Sequence, residues 1–209
     1  MKKTSETFTP TGAQTPRRGL SLELGHGALP GFLRLFQSGV RIKAQIGCTV
    51  DFLLCEELGI GREYLENRIN TIFLDGKTVD DFSDSLVEDG SVLALSTAMP
   101  GLLGAALKKG GRLGSLRSNV SYTPGRNSQR LRDGTVVLKL FNFLTQEIGA
   151  PLLHKGVWVR VKEVILFLDG CRGDSEGGSA KVFSNGAQIS LEALISRDLR
   201  SKEIFLFTS

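Results

Sequence analysis

VRIKAQIGCTVDFLLCEELG, residues 40–59, changes its hydrophobic period at Gly47. Before that glycine, Val40, Ile42, Ala44 and Ile46 alternate with Arg41, Lys43 and Gln45, the two-residue period of a strand with one buried face. Beyond it, Val50, Leu53, Leu54 and Leu58 recur at i, i+3, i+4 and i+8, one apolar stripe of a helix. Thr49 is placed to cap that helix, Asp51 suits the positive end of its dipole, and Gly59 is a natural residue to end it. A strand followed at once by a helix makes the expected fold class α+β.

Downstream, residues 69–74 read as a strand closed by Asp75-Gly76, a favoured tight-turn pair. Thr78-Val79 offers a short return strand, residues 80–84 a polar turn, Asp89-Gly90 a second turn, and residues 91–96 an apolar closing strand. Upstream, Leu20, Leu22 and Leu24 alternate as in a half-buried strand. Phe32, Leu33, Leu35 and Phe36 fit one or two helical turns, and residues 1–19 read as a disordered leader.

From Met99 to Arg132 the texture changes. Gly101, Gly104, Gly110, Gly111, Gly114 and Gly125 punctuate a stretch holding Lys108, Lys109, Arg112, Arg117, Arg126, Arg130 and Arg132 with no Asp or Glu over residues 108–132. The whole chain is +4, so these seven cations leave the remainder at −3. The basic balance therefore comes from one connector between mildly acidic parts. A solvated linker outweighs nucleic-acid binding as its reading, because Tyr122 is its one aromatic and base stacking is poorly served.

Past the connector, Val137, Leu140, Phe141, Leu144 and Ile148 fit a helical face, which we favour, although residues 136–140 also suit a strand. Residues 157–161 read as a strand around Trp158, and residues 164–168 as helix or strand. Residues 180–189 carry Asn185-Gly186 at their centre, a hairpin signal. Ser190 is placed to cap a short helix through Leu199, and residues 204–207 form a terminal strand. The order strand, Asp-Gly turn, polar stretch, closing strand in residues 72–95 has a faint echo in residues 181–207. The expected organisation is a leader (1–19), a first domain (20–104), a basic Gly-rich linker (105–132) and a second small α+β unit (133–209).

The series Gly47-Cys48-Thr49-Val50-Asp51-Phe52-Leu53-Leu54, Leu58-Gly59-Ile60, Ile72-Phe73-Leu74-Asp75-Gly76-Lys77 and Glu88-Asp89-Gly90-Ser91-Val92-Leu93-Ala94-Leu95 resembles the ubiquitin-like sulfur carriers, namely the small subunit of molybdopterin synthase and the thiamine-biosynthesis carrier. The likeness covers about residues 40–104 and implies a β-grasp unit. Family chemistry runs through a terminal diglycine whose carboxylate is adenylated and becomes a thiocarboxylate. Here that position reads Ala98-Met99-Pro100-Gly101-Leu102 and the chain continues. The resemblance thus implies a binding module without carrier chemistry, with Met99, Pro100, Gly101 and Leu102 as its partner contacts. Carrier chemistry would require a cut after Gly101, or after Gly111 of the Gly110-Gly111 pair.

Other classes find little support. Apolar runs fall short of the ~20 residues needed to cross a bilayer, and the Met1-Lys2-Lys3 start is followed by Thr4-Ser5-Glu6 rather than an apolar signal core. Cys48, Cys55 and Cys171 form no CxxC spacing, so inert thiols in a reducing compartment are expected. His26 and His154 are candidate general bases with no nucleophile placed beside them in sequence. We therefore expect a cytoplasmic, noncatalytic adaptor with a protein partner, without cofactor, metal or membrane contact; the alternatives are a sulfur carrier, a small-molecule enzyme, or a phosphate or nucleic-acid binder through residues 108–132.

Overall fold

The computed structural model describes residues 19–25, 29–97, 130–170, 180–196 and 202–208. In chain order the strands are β1 (Leu20–Leu24), β2 (Val40–Ile46), β3 (Thr71–Leu74), β4 (Lys77–Thr78), β5 (Val92–Ser96), β6 (Arg132–Leu140), β7 (Val157–Arg160), β8 (Ala180–Ser184), β9 (Ala187–Ile189) and β10 (Glu203–Thr208). The helices are α1 (Leu29–Phe32), α2 (Leu35–Ser38), α3 (Val50–Phe52, widening into a π turn over Leu53–Glu57), α4 (Arg62–Arg68), α5 (Leu144–Glu147), α6 (Gly149–Lys155), α7 (Val161–Gly170) and α8 (Leu191–Ser196). The fold class is mixed α+β, as expected.

All ten strands join one mixed sheet in the order β4-β3-β5-β6-β2-β7-β10-β1-β8-β9. Its strand directions read alike from both ends. Each outer hairpin (β3/β4, β8/β9) is followed by a parallel pair (β5/β6, β1/β10) and then by a central strand, β2 or β7. The central strands meet antiparallel through the pair Arg41–Trp158. The faint echo in the sequence has this spatial counterpart, with one difference. β5 lies directly beside β3, whereas β1 stands between β10 and β8.

Local chemistry explains most elements. Thr49 is extended, and its hydroxyl accepts from the Phe52 N–H at 3.2 Å, capping α3. Gly59 has φ 72, the left-handed geometry that ends a helix. Asp75-Gly76 (φ 51, 80) and Asn185-Gly186 (φ 52, 84) both turn with two positive φ values, matching the twist of their hairpins. The Ser190 hydroxyl accepts from the Ala193 N–H at 3.1 Å and starts α8; the expected end at Leu199 lies outside the described residues.

One core runs the length of the sheet. Val40, Ile42, Ala44 and Ile46 of β2 share it with Val136, Leu138 and Leu140 of β6, Leu22 and Leu24 of β1, and helical side chains such as Phe36, Leu53, Leu54, Leu153 and Val164. The favoured helix over residues 136–148 is corrected. Residues 132–140 are β6, and helix begins only at Leu144. Alternation decides it, since Val136, Leu138 and Leu140 are fully buried while Val137 and Lys139 are half-exposed on the other face. Residues 164–168 lie in α7. Arg132, read as connector, opens β6 opposite Ile46. Among the described residues no helix is long and apolar enough to cross a membrane.

Candidate functional site

Strand register assembles one row of side chains across the face opposite the core. Phe183 (β8) pairs with Ser21 (β1), Ser21 with Phe205 (β10), Phe205 with Trp158 (β7), Trp158 with Arg41 (β2), Arg41 with Val137 (β6) and Val137 with Val92 (β5). Residues directly opposite on paired strands point to the same face. Lys43 and Gln45 of β2, Thr135 and Lys139 of β6, and Arg160 of β7 extend this face, and all five are half-buried or exposed.

The centre of the row is aromatic and cationic. Trp158 packs on Phe205 with ring centroids 5.0 Å apart, and Phe205 stacks on Phe207 at 5.9 Å. Both phenylalanines are buried, while Trp158 is half-buried. Gly156 permits this packing, because a Cβ there would lie 2.0 Å from the Phe205 ring. Beside Trp158, an Arg41 terminal nitrogen pairs with the Glu203 carboxylate at 3.2 Å, and the side chain remains 38% exposed. Arg41 Nε is buried without a hydrogen-bond partner, a donor left unsatisfied inside the protein.

The edge of β2 beyond Arg41 is closed locally. Both Glu57 carboxylate oxygens accept from the Gln45 N–H at 3.0 Å, reached from the end of the π turn, where the Leu58 N–H bonds the Leu53 carbonyl. Gln45 also donates to Asp133 at 2.5 Å. Cys48 lies beneath this corner, its thiol donating to the Gln45 carbonyl at 2.9 Å. Burial first, and then Glu57, push the Cys48 thiol above its ordinary pKa; Cys55 is raised by burial and Asp51. Raised thiols are poor nucleophiles at neutral pH.

Elsewhere, the Thr208 hydroxyl lies 2.5 Å from His154 Nδ1. This is a hydroxyl–imidazole contact, but Thr208 is buried at the core side of β10, and among the described residues no third group orients the ring. Among the described residues, no group of three or more His, Cys, Asp or Glu is placed to hold a metal ion. Lys155, next to His154, has its pKa lowered by burial.

A second polar cluster ties the helices. Arg68 of α4 pairs with Glu147 of α5 at 2.6 Å, and the Tyr64 hydroxyl donates to the same carboxylate. The Arg68 hydrogen bond holds Glu147 below the usual carboxylate range, helped by Tyr64; burial and Glu147 raise Tyr64. A depressed carboxyl stabilises the fold above its unfolded pKa of ~4.3, and that stabilisation is lost as pH falls through the lower folded value. Glu147→Gln should therefore flatten the acid limb of stability measured by urea midpoint between pH 5 and 3. The effect should stay within about 1 kcal/mol, since the pair is partly exposed. An acid limb as steep as that of the unaltered chain would show that the pair does not couple α4 to α5.

Of the residues singled out from sequence, Arg130 and Arg132 are exposed at the entry to β6. Lys108, Lys109, Arg112, Arg117 and Arg126 lie outside the described residues, as do Met99, Pro100, Gly101, Leu102, His26 and Cys171. The row through Arg41 and Trp158 was missed. Its members come from seven strands, and only the register brings them together. Comparison with protein-family models, with curated proteins and with solved structures returned no match.

Proposed function

We propose that this chain is a noncatalytic binding module, a pair of β-grasp-like half-sheets that uses the face through Arg41 and Trp158 to hold a protein partner with an acidic surface. The β-grasp reading is supported by the element order over residues 40–97: strand, Thr49-capped helix, strand, Asp75-Gly76 turn, Asp89-Gly90 turn, closing strand. The observation that carries the binding reading is Arg41. It sits at the centre of the sheet, partly exposed beside Trp158 and paired with Glu203. Arg beside Trp is a combination enriched at the energetic centres of protein interfaces. Around it Lys43, Lys139 and Arg160 offer further cationic contacts for an acidic partner, set among Asp133, Glu203, Glu57 and Asp89.

Immobilised full chain should capture a discrete acidic protein from a native extract. Binding of that protein can be followed by the fluorescence of Trp158, the chain's one tryptophan. Reversing Arg41 and Lys43 to Glu should weaken it roughly tenfold or more, while His154→Ala leaves it unchanged. Unaltered binding by the charge-reversed chain would refute this face. A turnover that needs His154 would refute the noncatalytic reading, and oligonucleotide binding with a steep salt dependence would move the site to the basic residues 108–132.

The same element order also supports a sulfur-carrier reading. Intact mass of the protein from native cells separates the two. A form ending at Gly101 or Gly111, with one oxygen replaced by sulfur, would establish the carrier, and a chain uncut at both positions would refute it.

A further inference from the structure

We infer that the segments before and after the connector, residues 19–97 and 130–208, are obligate partners, so that a chain cut between β5 and β6 remains one folded particle. This rests on strand exchange and is independent of the function proposed above. β6 belongs by sequence to the second segment, yet it lies between β2 and β5 of the first. It pairs with β2 from Val40–Leu138 to Ile46–Arg132, and with β5 from Val92–Val137 to Leu95–Leu140. The exchange is reciprocal. β1 belongs to the first segment and lies between β10 and β8 of the second, paired over its full length with β8.

Neither exchanged strand is an edge strand. Withdrawing β6 would strip the hydrogen bonds from facing edges of β2 and β5 and expose core positions where Val136, Leu138 and Leu140 are fully buried. Withdrawing β1 would do the same to β8 and β10 and uncover Leu22 and Leu24. Loop contacts reinforce both insertions. The Asp89 carboxylate accepts from the Thr135 N–H at 2.8 Å, and Gly19 and Asn185 exchange hydrogen bonds at 2.8 and 2.9 Å. By contrast, the strand pairing between β2 and β7 is one residue pair long, Arg41–Trp158. The segments are held by mutual completion of their sheets and core, as in obligate interfaces. One consequence follows for any processing at Gly110-Gly111: the new carboxyl terminus would stay on the particle that contains residues 130–208.

The test uses the full chain with a specific protease site inserted after Gly111. After cutting, proved on a denaturing gel, the protein should elute from a sizing column at the volume of the uncut chain with an unchanged circular dichroism spectrum. The fragments should part only in denaturant. If the inserted site resists the protease, co-expression of residues 1–111, tagged, with residues 112–209, untagged, decides the matter. Equimolar recovery of the untagged fragment is expected, with loss of that recovery when it carries Leu138→Asp. Separation of the cut fragments without denaturant overturns the inference, as does recovery of a folded tagged fragment alone, or of neither fragment.

Discussion

Gly156→Ala should destabilise the protein far more than Gly186→Ala, although both glycines have nearly the same φ. Gly156 has φ 86, with ψ 140, and Gly186 has φ 84, so each substitution meets backbone strain. Such strain costs about 1–3 kcal/mol for an L-residue. At Gly186 a Cβ meets nothing within 4 Å, and the cost should stop there. At Gly156 the Cβ would sit 2.0 Å from the Phe205 ring, which is clamped between Trp158 and Phe207 and 6% exposed. Relief requires the ring or the start of β7 to move, adding about 1–3 kcal/mol of overpacking. The difference should appear as a melting temperature lower by roughly 2–12 °C for Gly156→Ala, using ~2–4 °C per kcal/mol for a chain of this size. Fluorescence of Trp158 should shift in the folded state of Gly156→Ala and not of Gly186→Ala. Equal losses of stability would mean that the aromatic row is not packed as described.

Leu138→Ala should cost about 2–5 kcal/mol, the range for truncating a fully buried leucine, while Lys139→Ala should stay within about 0.5 kcal/mol, as for an ordinary surface change. Leu138 is fully buried between Val40 of β2 and Leu93 of β5, and Lys139 is half-exposed on the opposite face. The pair tests strand against helix for this segment. A helical face through Val137, Leu140, Phe141 and Leu144 would put Val137 and Phe141 in the core and leave Leu138 off the apolar stripe. Equilibrium denaturation of Leu138→Ala and Val137→Ala distinguishes the two, since the strand makes Leu138 the costlier loss. The reverse order would restore the helix and remove the exchange of β6 between the halves.

The features legible in the sequence are those settled within a few residues. Thr49 caps α3 because its hydroxyl reaches an N–H three residues on, and Ser190 does the same for α8. Asp75-Gly76 and Asn185-Gly186 turn their hairpins because those residue types accept positive φ cheaply. β2 reads as a strand because one of its faces is wholly apolar and the other wholly polar. Where that contrast fails, the reading fails. β6 carries Val137 on its outer face, so its apolar residues run together with Leu144 of α5 and imitate a helical spacing. α4 went unread because Leu65 is its one buried residue, too little for a periodicity.

Tertiary structure alone decided which strands are neighbours. The parallel pairings of β5 with β6 and of β1 with β10 join residues far apart in the chain, and a local pattern carries no information about such partners. The candidate site has the same origin. Arg41, Trp158 and Phe205 are unremarkable singly. They meet because the register of three strands distant in the chain places them in one row, and because Gly156 leaves room for the Phe205 ring.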